Sequence, residues 1–152
     1  VRVDGLEASS TIAYLAKTLA LKAGGEVETL LVDSLTIAGF NIVSPSTIVK
    51  LAGLPLIAVY KYKPSSSRLE EALRKHFKDW RLRMLVLKLL DSTVKVETRK
   101  GELYIATWSL SLEEALETVE SLQVHSRIPE PLRIADMTAS EAARTLRLER
   151  RV

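Results

Sequence analysis

The sequence contains no cysteine, and this absence excludes disulfide bonds and zinc sites built on cysteine. It is typical of proteins of the cytoplasm, where we expect this chain to reside. The only histidines, His76 and His125, are too far apart in sequence to form a local metal-binding motif. A glycine-rich phosphate loop and a nucleophile elbow are also absent.

Long apolar runs are missing as well. The longest, residues 82–90, is interrupted by Arg83 and Lys88, so we expect no membrane span, and no secretory signal opens the chain. The formal net charge of +3 permits nucleic acid as a partner without demanding it. The length of 152 residues suits a single domain that buries its own core, while the sequence leaves the oligomeric state open.

The apolar pattern of the first half predicts a helix, a strand, a helix and a second strand. The first helix starts at Ser9 or Ser10 and stops at Gly24, and a buried strand follows at 27–32. After a loop at 34–45, the pattern predicts a helix at 46–51 and a buried strand at 54–60. A strand, helix and strand in succession form a parallel crossover. The two strands should therefore be parallel.

The second half predicts mostly helices around one hairpin. A helix begins near Ser67 and continues or restarts from Trp80 to Leu90, and strands at 94–98 and 103–107 flank a turn. Ser111 and Glu114 form a capping box for a helix to about Leu122. A last helix follows Pro131 toward Leu148. Together the elements predict an α/β fold with a mixed sheet flanked by helices.

Asp33 is the first candidate functional residue, because it directly follows a buried strand. Ligands of α/β proteins collect at the carboxyl ends of strands, and a carboxylate there can hold Mg²⁺, which prefers oxygen ligands. The alternative is an aspartate that only bonds to nearby backbone amides. Spacing alone favours this second role.

Several segments resemble endonuclease V enzymes and, more closely, an archaeal family of endonuclease V-like proteins. Residues 128–136, Ile-Pro-Glu-Pro-Leu-Arg-Ile-Ala-Asp, resemble the archaeal form Ile-Pro-Glu-Pro-Leu-Arg-X-Ala-His, and residues 38–43, Ala-Gly-Phe-Asn-Ile-Val, resemble Ala-Gly-Phe-Asn-Val-Val. Residues 55–61 are similar to the endonuclease V strand Pro-Thr-Ile-Gly-Val-Ala-Lys, and residues 3–9 to the archaeal Val-Asp-Gly-X-Asp-Ala-Thr.

The resemblance implies an RNase H-like fold and a Mg²⁺-dependent endonuclease that acts on deaminated or structured nucleic acid. In this interpretation Asp33 binds the metal and Lys61 contacts a phosphate, although Lys61 can also be an ordinary exposed lysine at a strand end. Asp136 stands where the family has histidine. It either replaces the imidazole as an oxygen ligand or forms an ion pair with Arg133.

The remaining candidates are weaker. Glu7 or Asp4 would substitute for the family's catalytic glutamate, His125 is a candidate phosphate contact, and Arg133 either contacts nucleic acid or organises the loop with Glu130. Four arginines of the last helix form a basic edge that is either a solvated face or a track for a nucleic-acid backbone: Arg144, Arg147, Arg150 and Arg151.

The resemblance also carries an expectation about the beginning of the chain. The first catalytic aspartate of the family lies on a strand that would precede Val1, so residues 1–152 are expected to form one endonuclease V-like domain without its N-terminal strand or strands. An incomplete set of acids leaves two alternatives to an active enzyme. One is a non-catalytic nucleic-acid-binding module, and the other is an interaction protein that uses the fold as a scaffold.

Overall fold

The computed structural model describes residues 1–149, with side chains to residue 146. Its helices are α1 (Ala8–Lys22), α2 (Pro45–Ala52), α3 (Ser66–His76), α4 (Trp80–Leu87), α5 (Leu112–Ser121) and α6 (Glu130–Glu149), with a 3₁₀ helix at Lys88–Ser92. Its strands are β1 (Leu30–Val32), β2 (Thr36–Ile37), β3 (Asn41–Ile42), β4 (Leu56–Tyr60), β5 (Val94–Thr98) and β6 (Gly101–Trp108). None of the described helices is long and apolar enough to cross a membrane.

The main sheet has four strands in the order β1, β4, β6, β5. β1 and β4 are parallel, with Leu30 opposite Leu56 and Val32 opposite Ala58, whereas β6 is antiparallel to both β4 and β5. The prediction of a mixed sheet and of a parallel strand pair is therefore confirmed. Among the described strands only β4 pairs with β1, so β1 has one free edge.

β4 is buried on both sides because helices pack on both faces of this sheet. Leu56 belongs to a core with residues of the first four helices, among them Ile48, Leu73 and Leu87. Ile57 and Val59 face the other way, into a core with β5, β6 and α5. The alternation of side chains along one strand thus divides the interior into two cores.

The segment between β1 and α2 differs from the predicted loop. It contains a small hairpin, β2 and β3, whose turn places Ala38 and Gly39 at φ 45° and 80°. Each strand has only two residues, too few for an alternating pattern to reveal.

Helix starts and stops were predicted with mixed success. The capping box of Ser111 and Glu114 is confirmed, and Gly53 ends α2 at φ 74°. The two helices between β4 and β5 form separately, so the alternative of a restart near Trp80 is correct. The predicted cap of α1 is wrong, because Ser9 and Ser10 both lie inside the helix.

Candidate functional site

Two charged residues follow the parallel strands β1 and β4 directly, at the carboxyl ends of both strands. β1 ends at Val32 and is followed by Asp33, and β4 ends at Tyr60 and is followed by Lys61. Since the strands are parallel neighbours, both side chains emerge on one side of the molecule. Both are exposed, and both line an open cavity of about 430 Å³.

Helix α6 brings further charges to this cavity. Pro129 is buried directly before the helix, and Leu132 in its first turn packs against the core of β4, β6 and α5. This anchoring directs Arg133 and Asp136 toward the ends of the strands, where they line the same cavity as Asp33 and Lys61. The proline-framed segment, by fixing where α6 begins, therefore positions the two charged side chains.

A second cavity of about 290 Å³ adjoins the first and shares Asp33, Leu132 and Asp136 with it. Its walls include Ile12 from α1 and Ile37 from β2. These residues lie on the opposite side of the sheet from Leu132, so the cavity reaches around the free edge of β1. The two aspartates thus stand between a charged cavity and a mostly apolar one.

Arg133 forms an ion pair, but not the one that the sequence suggested. Its guanidinium donates to the Glu130 carboxylate at 3.0 Å. Within residues 1–146, no ion pair involves Asp136. The Arg133–Asp136 pair is therefore a wrong prediction, while the prediction that Glu130 and Arg133 organise this segment agrees with the observed contact.

Tyr60 also lines the charged cavity, and sequence reasoning assigned it no role. Its hydroxyl is buried and has no hydrogen-bond partner within the described part of the chain. Burial, and to a lesser degree the nearby carboxylate of Asp33, raises the pKa of Tyr60 above its usual value. The phenol is therefore neutral at physiological pH and available as a hydrogen-bond donor.

Glu7 and His125 lie apart from this arrangement. The Glu7 carboxylate accepts hydrogen bonds from the backbone N–H groups of Arg2 and of Leu6, the latter at 3.0 Å. These bonds, chiefly the one from Arg2, lower the pKa of Glu7 to about 2. His125 is exposed in the loop before α6. Neither residue lines either cavity.

The segment at residues 3–5, which includes Asp4, is joined to the β2–β3 turn. The Asp4 carboxylate accepts a hydrogen bond from the backbone N–H of Phe40 at 2.7 Å. Gly39 lies so close that a Cβ atom there would stand 2.3 Å from an oxygen of Asp4. Two segments that resemble the archaeal family therefore hold each other in place.

Two buried polar side chains complete this junction. The side chain of Asn41, on β3, accepts a hydrogen bond from the backbone N–H of Ala8 and donates one to the carbonyl of Arg2, both at 3.0 Å. It therefore caps the start of α1 from a distant part of the chain. Arg83 donates to the carbonyls of Asp4 at 3.1 Å, Gly5 at 3.2 Å and Phe40 at 2.6 Å. The junction is structural, and it lies away from the charged cavity.

The basic edge of α6 is described only in part. Arg144 is exposed and pairs with Glu141 at 2.7 Å, as expected of a solvated face. The side chain of Arg147 and the residues Arg150 and Arg151 lie outside the described part of the chain.

The number of acidic side chains at the cavity limits how many metal ions it can bind. The described residues contain no group of three or more His, Asp or Glu side chains that could hold a metal ion. Asp33 and Asp136 remain as a pair that lines both cavities. Mg²⁺ is commonly bound through one or two carboxylates, with waters and substrate phosphate completing its shell. In donor chemistry, two carboxylates suit one such ion and are too few by themselves for a two-metal centre.

Comparison with known proteins agrees with the sequence resemblance. Residues 1–143 match the family described as endonuclease dU. The chain belongs to the endonuclease dU family. The predicted membership of an archaeal family is confirmed too, since relatives similar to this chain are archaeal proteins named UPF0215.

The UPF0215 protein of Aeropyrum pernix is 45% identical over 97% of this chain and 78% of the relative. The corresponding protein of Pyrococcus horikoshii is 38% identical over 92% of this chain and 70% of the relative. A crystal structure of a protein of unknown function from Archaeoglobus fulgidus superposes with a TM-score of 0.80 at 23% identity, and the match covers 93% of this chain and 78% of that one. This likeness shows that the two share a fold.

Proposed function

We propose that this member of the endonuclease dU family binds nucleic acid at the cavity of Asp33, Lys61, Arg133 and Asp136, and that it is a Mg²⁺-dependent endonuclease acting on deaminated nucleic acid. The observation that carries the proposal is the meeting of two acids and two bases in one cavity at the ends of parallel strands. The family name supports it, because deoxyuridine is the deamination product of deoxycytidine.

The side chains divide into two roles. Lys61 and Arg133 provide positive charge for phosphates, and the ion pair with Glu130 holds the guanidinium of Arg133 in place. Asp33 and Asp136 would hold one Mg²⁺. When bound, such an ion neutralises charge on a phosphate and lowers the pKa of a coordinated water.

The proposal includes the finer fold and the expected location. An RNase H-like arrangement is supported by the parallel pair of β1 and β4, by the acid directly after β1, and by the free edge of β1, which can accept a further strand. A cytoplasmic location is supported by the absence of cysteine.

A cleavage assay tests the enzymatic part of the proposal. We expect Mg²⁺-dependent cleavage of labelled DNA that contains deoxyuridine or deoxyinosine, or of RNA that contains inosine, relative to the unmodified strand. Asp33→Asn should reduce cleavage to background because it removes a metal-binding carboxylate. Glu117→Gln on α5 removes an exposed acid outside both cavities and should cleave normally. If no product depends on Asp33, the endonuclease proposal is wrong.

A second function, nucleic-acid binding without catalysis, is favoured by the small number of acids at the cavity. Binding would then survive Asp33→Asn and need no Mg²⁺. Each phosphate contact on a single strand adds roughly −0.7 to the slope of log affinity against log salt concentration. Lys61→Ala should therefore reduce the steepness of that slope by roughly 0.7. Lys50→Ala on α2, which does not line the cavity, should leave it unchanged.

A further inference from the structure

Tyr62 stands at the mouth of the charged cavity, and nothing in the structural core requires it there. It follows Lys61 and is 68% exposed, although tyrosine has a large apolar ring. It lines the cavity together with Asp33, Lys61 and Arg133. With 68% of the residue exposed, the part of the ring that its neighbours leave uncovered is open to a ligand.

Two cations lie next to this ring. The Nζ atom of Lys61 and the guanidinium carbon of Arg127 are each 5.5 Å from its centroid, within the range of cation–π attraction. Lys61 reaches the ring from the neighbouring position in the chain, whereas Arg127 comes from the loop before α6. The ring therefore marks the place where two distant segments meet.

Arg127 is held in this position by contacts at both its side chain and its backbone. Its guanidinium donates to the carbonyl of Glu102 at 3.1 Å. Its own carbonyl accepts from the side-chain amide of the buried Gln123, which also bonds to Thr98 at 3.1 Å. The cation is thus tied to the β5–β6 hairpin and held beside the ring of Tyr62.

A nucleotide combines the two chemical features that this rim would recognise. Its base offers a flat π face for the ring, and its phosphates offer negative charge for Lys61 and Arg127. A phosphate alone would use the cations and leave the ring without a role. In a duplex both faces of a base are covered by its neighbours, so only an unpaired or extruded base can lie on a protein ring.

We propose that Tyr62 is a stacking platform for a nucleobase at the rim of the cavity, with Lys61 and Arg127 bound to the flanking phosphates. The ligand would then be a single strand or a locally unpaired nucleotide. This inference rests on the proposed function, because it assumes that the cavity binds nucleic acid. It adds the specificity for unpaired bases and names the residue that produces it.

Binding of a single-stranded oligonucleotide that contains 2-aminopurine tests the inference, since stacking on an aromatic ring quenches the fluorescence of this base. With the 152-residue chain, Tyr62→Ala should weaken binding roughly 10-fold and abolish the quenching. Tyr62→Phe keeps the π face and should bind and quench like the parent chain. Tyr14→Ala is the matched control, because Tyr14 is 71% exposed and lies outside the cavity.

Binding of a duplex and of inorganic polyphosphate completes the design. Both should be unaffected by Tyr62→Ala, since neither offers a free base to the ring. If the parent chain binds the single strand and Tyr62→Ala binds it equally well, the stacking inference is wrong and the proposed function stands. Absence of any binding to nucleic acid by the parent chain would overturn both.

Discussion

Arg83 shows how much of this fold can depend on one side chain. It is 6% exposed, a value unusual for arginine, and its Nε donates to both carboxylate oxygens of Asp79 at 3.1 Å. Its two terminal nitrogens donate three further hydrogen bonds to backbone carbonyls, two before α1 and one in the β2–β3 turn. The hydrogen bonds from Arg83 also lower the pKa of Asp79, so this acid remains ionised in the folded protein.

Replacement of Arg83 should therefore be costly. Arg83→Met keeps the bulk of the side chain but leaves buried carbonyls without donors, and we expect the free energy of unfolding to fall by about 3 kcal/mol. Chemical denaturation monitored by circular dichroism measures this change. Arg68→Met, an exposed arginine at the start of α3, serves as the control and should change stability little. Equal stability of the two variants would contradict the structural role of Arg83.

The charged cavity was predictable at the residue level only in part. Asp33 could be noticed because it follows a strand, but spacing alone favoured a local role for it, and Lys61, Arg133 and Asp136 were chosen through the family resemblance. The structure brings all four to one cavity. Tyr62 and Arg127 meet only through the packing of the loop before α6 against the hairpin. Such a contact between distant parts of the chain leaves no periodic or spacing signal.

Among the elements, the β2–β3 hairpin was the one most difficult to predict. Its strands are short, and its position depends on the segment that precedes α1. The same dependence explains the wrong cap of α1, because the side chain that satisfies the backbone N–H of Ala8 is Asn41, on β3. The buried strand β4 and the capping box, in contrast, were set by neighbouring residues and were predicted correctly. The strand predicted at 27–32 forms only at Leu30–Val32 and is half-buried rather than buried.

Gly39 offers a test of this junction. Gly39→Ala adds a Cβ atom at a φ of 80°, where side chains are strained, and this atom would stand 2.3 Å from the Asp4 carboxylate. We expect the free energy of unfolding to fall by about 2 kcal/mol, the sum of backbone strain and the lost bond to Phe40. A thermal or urea unfolding curve measures it.

Gly24→Ala is a suitable control for Gly39→Ala. Gly24 has a similar φ of 64° but nothing within 4 Å of the added atom. The Gly24→Ala variant should therefore lose only the stability that backbone strain costs. If the two variants lose the same stability, the contact between Asp4 and the β2–β3 turn does not contribute to the free energy of unfolding.

At the scale of the whole molecule, the sheet is unequally supported. β4 is paired on both sides and buried at four successive positions, whereas β1 has a single partner among the strands that the structure describes. Hydrogen–deuterium exchange should therefore show the slowest exchange in β4 and distinctly faster exchange in β1, because amides open locally where pairing and burial are least. Equal protection of the two strands in exchange detected by mass spectrometry would show that the edge is covered in solution.

The unequal support of the two strands has a mechanical consequence for the cavity. Lys61 extends from β4, which has a partner on both sides, while Asp33 extends from β1, which has one partner among the described strands. We therefore expect Asp33 to move more than Lys61. The distance between acid and base is then set mainly by β1. A molecule that pairs with this edge would narrow or widen the gap between the charges without touching either of them.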